Sequence, residues 1–82
     1  MHVVTILRYY LGMTQMELAE KSGVSFVDVN EIENKPDYGM IDKYCRLAEC
    51  LHVPVHVVAM NDILSVPEAF FAQERKAKYT TP

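Results

Sequence analysis

The residue types that most often do chemistry in proteins are represented here by His2, His52 and His56 and by Cys45 and Cys50. No carboxylate or cysteine joins the histidines at a spacing that recurs in metal sites. The five-residue separation of the cysteines turns them apart on one predicted helix, which makes a disulfide between them difficult. We therefore predict surface or packing histidines, reduced thiols in the core, no metal and no cofactor.

A catalytic site is not predicted by any motif of the chain. The sequence has no glycine-rich phosphate loop, no nucleophile placed beside a base and no paired acids in an expected cleft. With 82 residues, the chain is long enough for one core and too short for two ordinary domains. Because so small a helical domain offers little concavity, we expect a binding protein and not an enzyme.

Charge and hydropathy limit the partners. Eight lysines and arginines against eleven acids give a formal net charge of −3, which is the wrong sign for strong sequence-independent attraction to phosphates. The apolar stretch 53–60 is far shorter than the roughly 20 residues of a membrane span, and Pro54 and His56 interrupt it. We expect no membrane association, and reduced cysteines predict a cytoplasmic protein.

The spacing of apolar residues predicts an all-α fold, with five helices in a compact domain over residues 1–64. Helical periodicity begins at 2–11 and is followed by Gly12, which readily ends a helix. The stretch 34–39 is rich in turn-forming residues and predicts a loop before the fourth helix. Pro54 suits the first turn of a short fifth helix.

Two capped helices joined by a glycine turn are predicted between the first helix and that loop. Thr14 with Glu17 and Ser25 with Asp28 both have the spacing of a capping box. Gly23 can adopt the positive φ that a tight turn between the two helices requires. The predicted inward residues are Val24, Val29 and Ile32.

The run TQMELAEKSGVS, followed by Val29, Ile32 and Glu33, resembles the helix-turn-helix of the phage repressor and Cro type, also called the xenobiotic-response-element family. The resemblance extends from Arg8 before the motif to 47–53 after it and covers most of residues 3–60. It implies a five-helix, repressor-like domain that binds double-stranded DNA and regulates transcription. The recognition helix would lie at about 26–33.

The resemblance also implies roles for particular residues. Arg8 and Glu33 match an ion pair that ties the first helix to the motif. Gln15 matches a residue that binds phosphate through its side chain and the helix N-terminus. The outward residues of the third helix that would contact base edges are Phe26, Val27 and Asn30, with Glu31 beside them. Asn34 and Lys35 would lie close to the DNA backbone.

The outer face of the third helix departs from the family pattern, because arginine and lysine are absent from residues 22–34. Asn30 can pair with adenine, Glu31 can accept from cytosine, and Phe26 or Val27 can pack on thymine methyls, so we expect all four to face solvent. From Thr14 to Asn34, however, five acids and one lysine give a net charge of −4. The alternative function is a protein-interaction module that keeps the scaffold and binds DNA weakly or not at all.

Residues 65–82 are predicted to form a C-terminal helix and tail. Ser65 and Glu68 have the spacing of a capping box for a sixth helix at about 66–78. The short fifth helix is crowded with valines, and the adjacent Phe70 and Phe71 cannot share one helix face. We predict that residues 53–78 form a homodimer contact. The alternative is that the sixth helix folds back on the fifth within the monomer.

Overall fold

A computed structural model describes residues 1–35 and 41–73, and within these ranges the protein is helical without any strand. The α-helices are α1 (Val3–Leu11), α2 (Gln15–Ser22), α3 (Phe26–Asn34), α4 (Ile41–Leu51) and α5 (Val55–Ala59). Two 3-10 helices follow, Ile63–Ser65 and Glu68–Ala72. The predicted all-α class is therefore confirmed. Over the described ranges, no helix has the length and apolar character needed to cross a membrane.

Capping interactions set the boundaries of α2 and α3. The Thr14 amide donates to Oε1 of Glu17 at 2.9 Å and the Glu17 amide donates to Oγ of Thr14 at 3.1 Å, so the predicted capping box of α2 is present. Gly23 ends α2 with a φ of 78°, as its position in the turn predicts. At α3, Oγ of Ser25 accepts from the Asp28 amide at 3.1 Å.

The N-terminus of α1 is capped by residues from both ends of the domain. The Val4 amide donates to Nδ1 of His2 at 3.1 Å, and the Val3 amide donates to Oδ1 of Asn61 at 2.6 Å. Asn61 follows α5 with a φ of 51°, a left-handed conformation that asparagine tolerates better than most residues. The first amides of α1 are thereby tied to the segment after α5.

The core is formed by the inner faces of all five helices. α4 packs against α5 and α2, and α3 packs against α2 and α1. Each large aliphatic side chain removed from water contributes roughly 1.5–3 kcal/mol to stability. The predicted burial of Val24, Val29 and Ile32 is confirmed. The largest fully buried side chains are Phe70, Leu7, Leu18, Ile32, Leu47 and Leu51.

The cysteines lie elsewhere than expected. α4 buries Tyr44, Leu47, Ala48 and Leu51. These four positions make one helical stripe, and Cys45 lies outside it. The prediction of a core position is therefore wrong for Cys45, which is exposed, whereas Cys50 is half-buried and packs against the core.

The C-terminal segment differs from the predicted α-helix. Over its described part it is a 3-10 helix, Glu68–Ala72, and residues 74–78 of the predicted helix lie outside the described ranges. Ser65 does not cap this element, because its hydroxyl donates to Oδ2 of Asp62 at 2.6 Å and Pro67 occupies the position before the 3-10 helix. In its described part, the predicted sixth helix is thus a 3-10 helix and not an α-helix.

Phe70 attaches this C-terminal turn to α1. Its ring is buried, with its centroid 5.4 Å from that of Tyr10. The Tyr10 hydroxyl also donates to the backbone oxygen of Phe71 at 3.0 Å. Nε2 of Gln73 donates to the backbone oxygen of Leu51 at 2.8 Å, which satisfies a carbonyl at the end of α4. The segment folds back within the monomer, and it packs on α1.

Candidate nucleic-acid interface

An open groove of about 780 Å³ lies where the N-terminus of α2 meets α1 and the outer face of α3. We define this outer face as Phe26, Val27, Asn30, Glu31 and Asn34. The polar residues Arg8, Gln15 and Glu33 line the groove together with Met16 and Phe26. The groove therefore brings together four of the seven DNA-contact residues assigned by resemblance, Gln15, Phe26, Asn30 and Asn34. The other three, Val27, Glu31 and Lys35, do not line it.

The predicted ion pair between Arg8 and Glu33 joins α1 to α3 beside the groove. Nε of Arg8 lies 2.8 Å from Oε2 of Glu33, and Nη2 lies 2.9 Å from Oε1. The two side chains are only 7% and 4% exposed. Nη1 of Arg8 also donates to the backbone oxygen of Met13 at 3.0 Å. Since the pair is bidentate and buried, it fixes the orientation of α1 against α3.

Glu33 is held in its ionised form. Burial by itself raises the pKa of this carboxyl, but hydrogen bonds from Arg8, Gln15 and Thr5 outweigh burial and lower the pKa below its ordinary value. Oε1 alone accepts from Thr5 Oγ at 2.8 Å and from Gln15 Nε2 at 3.0 Å in addition to Arg8. The carboxylate is thus an acceptor for side chains from α1 and α2.

A chain of amide hydrogen bonds runs from this carboxylate to the outer face of α3. Gln15 donates to Glu33, and Nδ2 of Asn30 donates to Oε1 of Gln15 at 3.2 Å. Nδ2 of Asn34 then donates to the backbone oxygen of Asn30 at 2.9 Å and approaches Oδ1 of Asn30 at 3.3 Å. Gln15, Asn30 and Asn34 are therefore positioned by one another and by the buried ion pair.

Four residues of the outer face were expected to be exposed to solvent, and this is confirmed only for the two apolar ones. Phe26 and Val27 are 43% and 65% exposed. Asn30 and Glu31, expected to face solvent, are half-buried, because Asn30 is bonded to Gln15 and Glu31 is paired with Lys35. Asn34 and Lys35 are exposed.

Two ion pairs flank the outer face of α3. Nζ of Lys35 lies 2.7 Å from Oε2 of Glu31, and Nζ of Lys43 lies 2.8 Å from Oδ2 of Asp28. Each acid on this part of α3 thus has a lysine partner, which lowers the local negative potential but also occupies the lysines. The sequence predicted neither pair, although Glu31 and Lys35 stand at the i,i+4 spacing that favours one.

Sequence reasoning also missed three residues of the groove. Thr5 is three positions before Arg8 on α1 and hydrogen-bonds to the same carboxylate, a spacing that places both on one helix face. The Arg8 guanidinium carbon lies 4.7 Å from the centre of the Tyr9 ring, in a cation–π contact. Met16 lines the groove beside Phe26. Of these, only Thr5 carried a usable signal in its spacing.

A second, smaller cleft of about 360 Å³ is lined by Lys21, Cys50, His52 and Gln73 among others. Burial raises the pKa of the Cys50 thiol, and the nearby Lys21 only partly offsets this, so the thiol is protonated at neutral pH. Among the described residues, no group of three histidine, cysteine or acidic side chains is arranged to hold a metal ion. The groove at α2 and α3 is therefore the stronger candidate site.

Comparison of the chain with protein-family models, with curated proteins and with solved structures found no match. The groove, its hydrogen bonds and its charges are consequently the features of this protein that bear on function.

Proposed function

We propose that this protein is a cytoplasmic DNA-binding transcriptional regulator of the helix-turn-helix type, with α3 as its recognition helix. The observation that carries the proposal is the hydrogen-bond chain from Glu33 through Gln15 to Asn30. Polar side chains that bind a ligand selectively need a fixed geometry. Here the buried Arg8–Glu33 pair fixes the side chain of Gln15, which in turn positions Asn30. Polar side chains that only contact water need no such positioning.

The contacts with DNA follow from the position of each group. Gln15 is the first residue of α2, where the helix N-terminus and a side-chain amide suit a phosphate oxygen. Phe26 and Val27 begin α3 and present apolar surface that fits thymine methyls. Asn30 lies one turn further along and offers an amide to a base edge.

We also propose that two copies pair through residues 53–78. Met60, Ile63 and Leu64 are exposed around the end of α5, and Leu64 is 93% exposed. An apolar group left so open in the monomer is favourably covered by a partner. A two-fold pair would set two recognition helices against successive major grooves.

The second candidate function is binding of a protein partner by the same face. Its support is the exposure of Met16, Phe26 and Val27, because aromatic and methionine side chains are favoured at protein interfaces. The formal net charge of −4 between Thr14 and Asn34 also disfavours DNA as the partner. Tight DNA binding normally requires several lysine or arginine contacts with phosphates.

Binding selection against a pool of random duplex DNA, at low and at moderate salt, distinguishes the two functions. We expect a recurring sequence to be recovered by the wild-type protein and lost with the variant Asn30→Ala. The variant Cys45→Ser, altered at an exposed position of α4, is the matched control and should recover the same sequence. Absence of any enriched sequence at low salt would favour the protein partner.

A further inference from the structure

The side-chain amide of Asn30 lies between two groups of opposite hydrogen-bonding character. Its Nδ2 donates to Oε1 of Gln15 at 3.2 Å, and its Oδ1 lies 3.3 Å from the donor Nδ2 of Asn34. Turning the amide over would set oxygen against oxygen on the Gln15 side and amino group against amino group on the Asn34 side. Both neighbours therefore favour the same orientation of Asn30. The bond to Gln15 is partly buried and is the stronger of the two, because water competes with it less.

Neither neighbour can turn its own amide over without losing a hydrogen bond. Gln15 is held by Glu33, whose ionised carboxylate accepts from Nε2 of Gln15 at 3.0 Å. Asn34 is held by the backbone oxygen of Asn30, which accepts from Nδ2 of Asn34 at 2.9 Å. An ionised carboxylate and a backbone carbonyl can only accept, so each amide must direct its amino group towards them. The orientation of Asn30 is thus fixed from α2 and from α3.

These bonds leave Asn30 with one donor and one acceptor in a defined order. Nδ2 has two hydrogens and Oδ1 has two lone pairs, and one of each is engaged within the protein. Adenine presents the N7 acceptor beside the N6 amino donor in the major groove, which complements such a pair. Guanine presents two acceptors, N7 and O6, so the fixed oxygen of Asn30 would face another acceptor. An asparagine that is free to turn could direct its amino group alone at guanine.

We propose that Gln15 is a specificity-determining residue, which acts through Asn30 to select adenine over guanine. Gln15 keeps Asn30 from turning its amino group towards guanine and thereby disfavours that base. It is a positioning residue for base contact, a role that the phosphate contact implied by the resemblance does not include. Asn34 supports the same orientation from the other side. This inference rests on the proposed function.

Two duplexes test the selection of adenine, with affinity measured by fluorescence anisotropy. The first is the duplex that the wild-type protein recovers from a random pool, and the second has G·C in place of A·T at the position where Asn30→Ala loses its preference. The wild-type protein should prefer the adenine duplex by roughly tenfold or more. The size-matched variant Gln15→Met should reduce this preference to less than about threefold, because Asn30 can then turn.

Two further variants separate orientation from other effects. Asn34→Ala removes the weaker contact at an exposed position and should lower the preference by a smaller factor, which tests the inference even if Gln15→Met does not fold. Lys35→Ala is the matched control, since loss of a contact with the DNA backbone weakens binding to both duplexes alike and leaves their ratio unchanged. A loss of affinity without a change of ratio in Gln15→Met would indicate phosphate contact alone and would overturn the inference.

Other outcomes also contradict the selection of adenine while DNA binding stands. These are a base other than adenine at the position that depends on Asn30, the absence of any position that depends on Asn30, and an unchanged ratio in Asn34→Ala where Gln15→Met does not fold. If the wild-type protein enriches no sequence at low salt, the proposed function fails and this inference fails with it.

Discussion

Oε1 of Gln15 accepts a hydrogen bond from Nδ2 of Asn30 at 3.2 Å, and the direction of this bond is set by Glu33. An ionised carboxylate can only accept, so Gln15 must turn its amino group towards Glu33. Its oxygen then faces Asn30, which must donate. The buried charge of Glu33 therefore sets the orientation of the side-chain amides of both Gln15 and Asn30.

Substitutions of Gln15 and Asn30 should be coupled. We expect Asn30→Ala to cost on the order of 1–3 kcal/mol of binding free energy, mainly at one base pair of the preferred duplex. Gln15→Ala should cost less in the Asn30→Ala background than in the wild type, because its orienting partner is already lost. Affinities for the preferred and for mixed duplexes measure both effects. Equal losses on the two duplexes would contradict the role of Asn30 in base contact.

Glu33→Gln should greatly destabilise the domain. The substitution leaves the Arg8 guanidinium buried without its counter-charge, and breaking such a pair costs about 3–5 kcal/mol of unfolding free energy. Glu31→Gln, which breaks a partly exposed pair, should cost less than about 1 kcal/mol. Urea unfolding at neutral pH compares the two. Similar midpoints for both variants would show that the buried pair is not the dominant constraint.

Stability should fall as the pH decreases from about 6.5, because of His2. Burial lowers the pKa of this imidazole in the folded protein, and its Nδ1 accepts the Val4 amide only when unprotonated. A depressed folded pKa contributes stability that is present above the unfolded value and is lost as pH falls through the folded value.

The matched control is His2→Asn, which keeps a helix-capping acceptor and removes the titration. Thermal unfolding between about pH 7 and pH 5 should show a smaller loss of stability for this variant than for the wild type. If the stability of the two proteins fell equally with decreasing pH, groups other than His2 would be responsible for the acid sensitivity.

The adjacent residues Phe70 and Phe71 should differ sharply in their contribution. Phe70 is 1% exposed and Phe71 is 49% exposed. Phe70→Ala should therefore cost about 3–5 kcal/mol of unfolding free energy, as a cavity in the core does. Phe71→Ala should cost about 1 kcal/mol, from its edge contacts with Tyr10 and Phe70. Denaturant titration measures both losses of unfolding free energy. Equal losses for Phe70→Ala and Phe71→Ala would contradict the packing of the C-terminal segment on α1.

Leu64→Lys should convert a dimer to a monomer without unfolding it. Leu64 lies on the 3-10 helix after α5 and makes little contact within its own chain, so a charge there opposes association only. Ile41→Lys, at another exposed apolar residue on α4, is the control and should leave the mass unchanged. Light scattering at micromolar concentration measures both. A wild-type monomer under these conditions would reject the proposed dimer.

Much of the helical framework could be predicted from local patterns. The Thr14 and Glu17 capping box, the turn at Gly23 and the inward residues Val29 and Ile32 depend on spacing within a few positions. The C-terminal segment could not be predicted in this way. Its packing on α1 depends on the contact of Phe70 with Tyr10, two residues that are distant in the sequence.

The site was predictable in outline and not in detail. Arg8 and Glu33 were expected as an ion pair and Gln15 as a separate phosphate contact, and spacing alone gave no sign that the Glu33 carboxylate would bind Gln15 as well. The half-burial of Asn30 follows from that tertiary network. Ion pairing of Glu31 with Lys35 was detectable from the i,i+4 spacing.

α1 is synthesised first among the helices, but its N-terminal cap requires Asn61, which is synthesised after all five. α1 has nine residues, too few for a stable isolated helix in water. The Val3 amide meets its acceptor 58 positions later, and Arg8 meets Glu33 after 25. α1 therefore leaves the ribosome before Asn61, and its N-terminal cap forms only when residue 61 has emerged. Closing such long loops raises the contact order and makes the domain assemble as one cooperative unit.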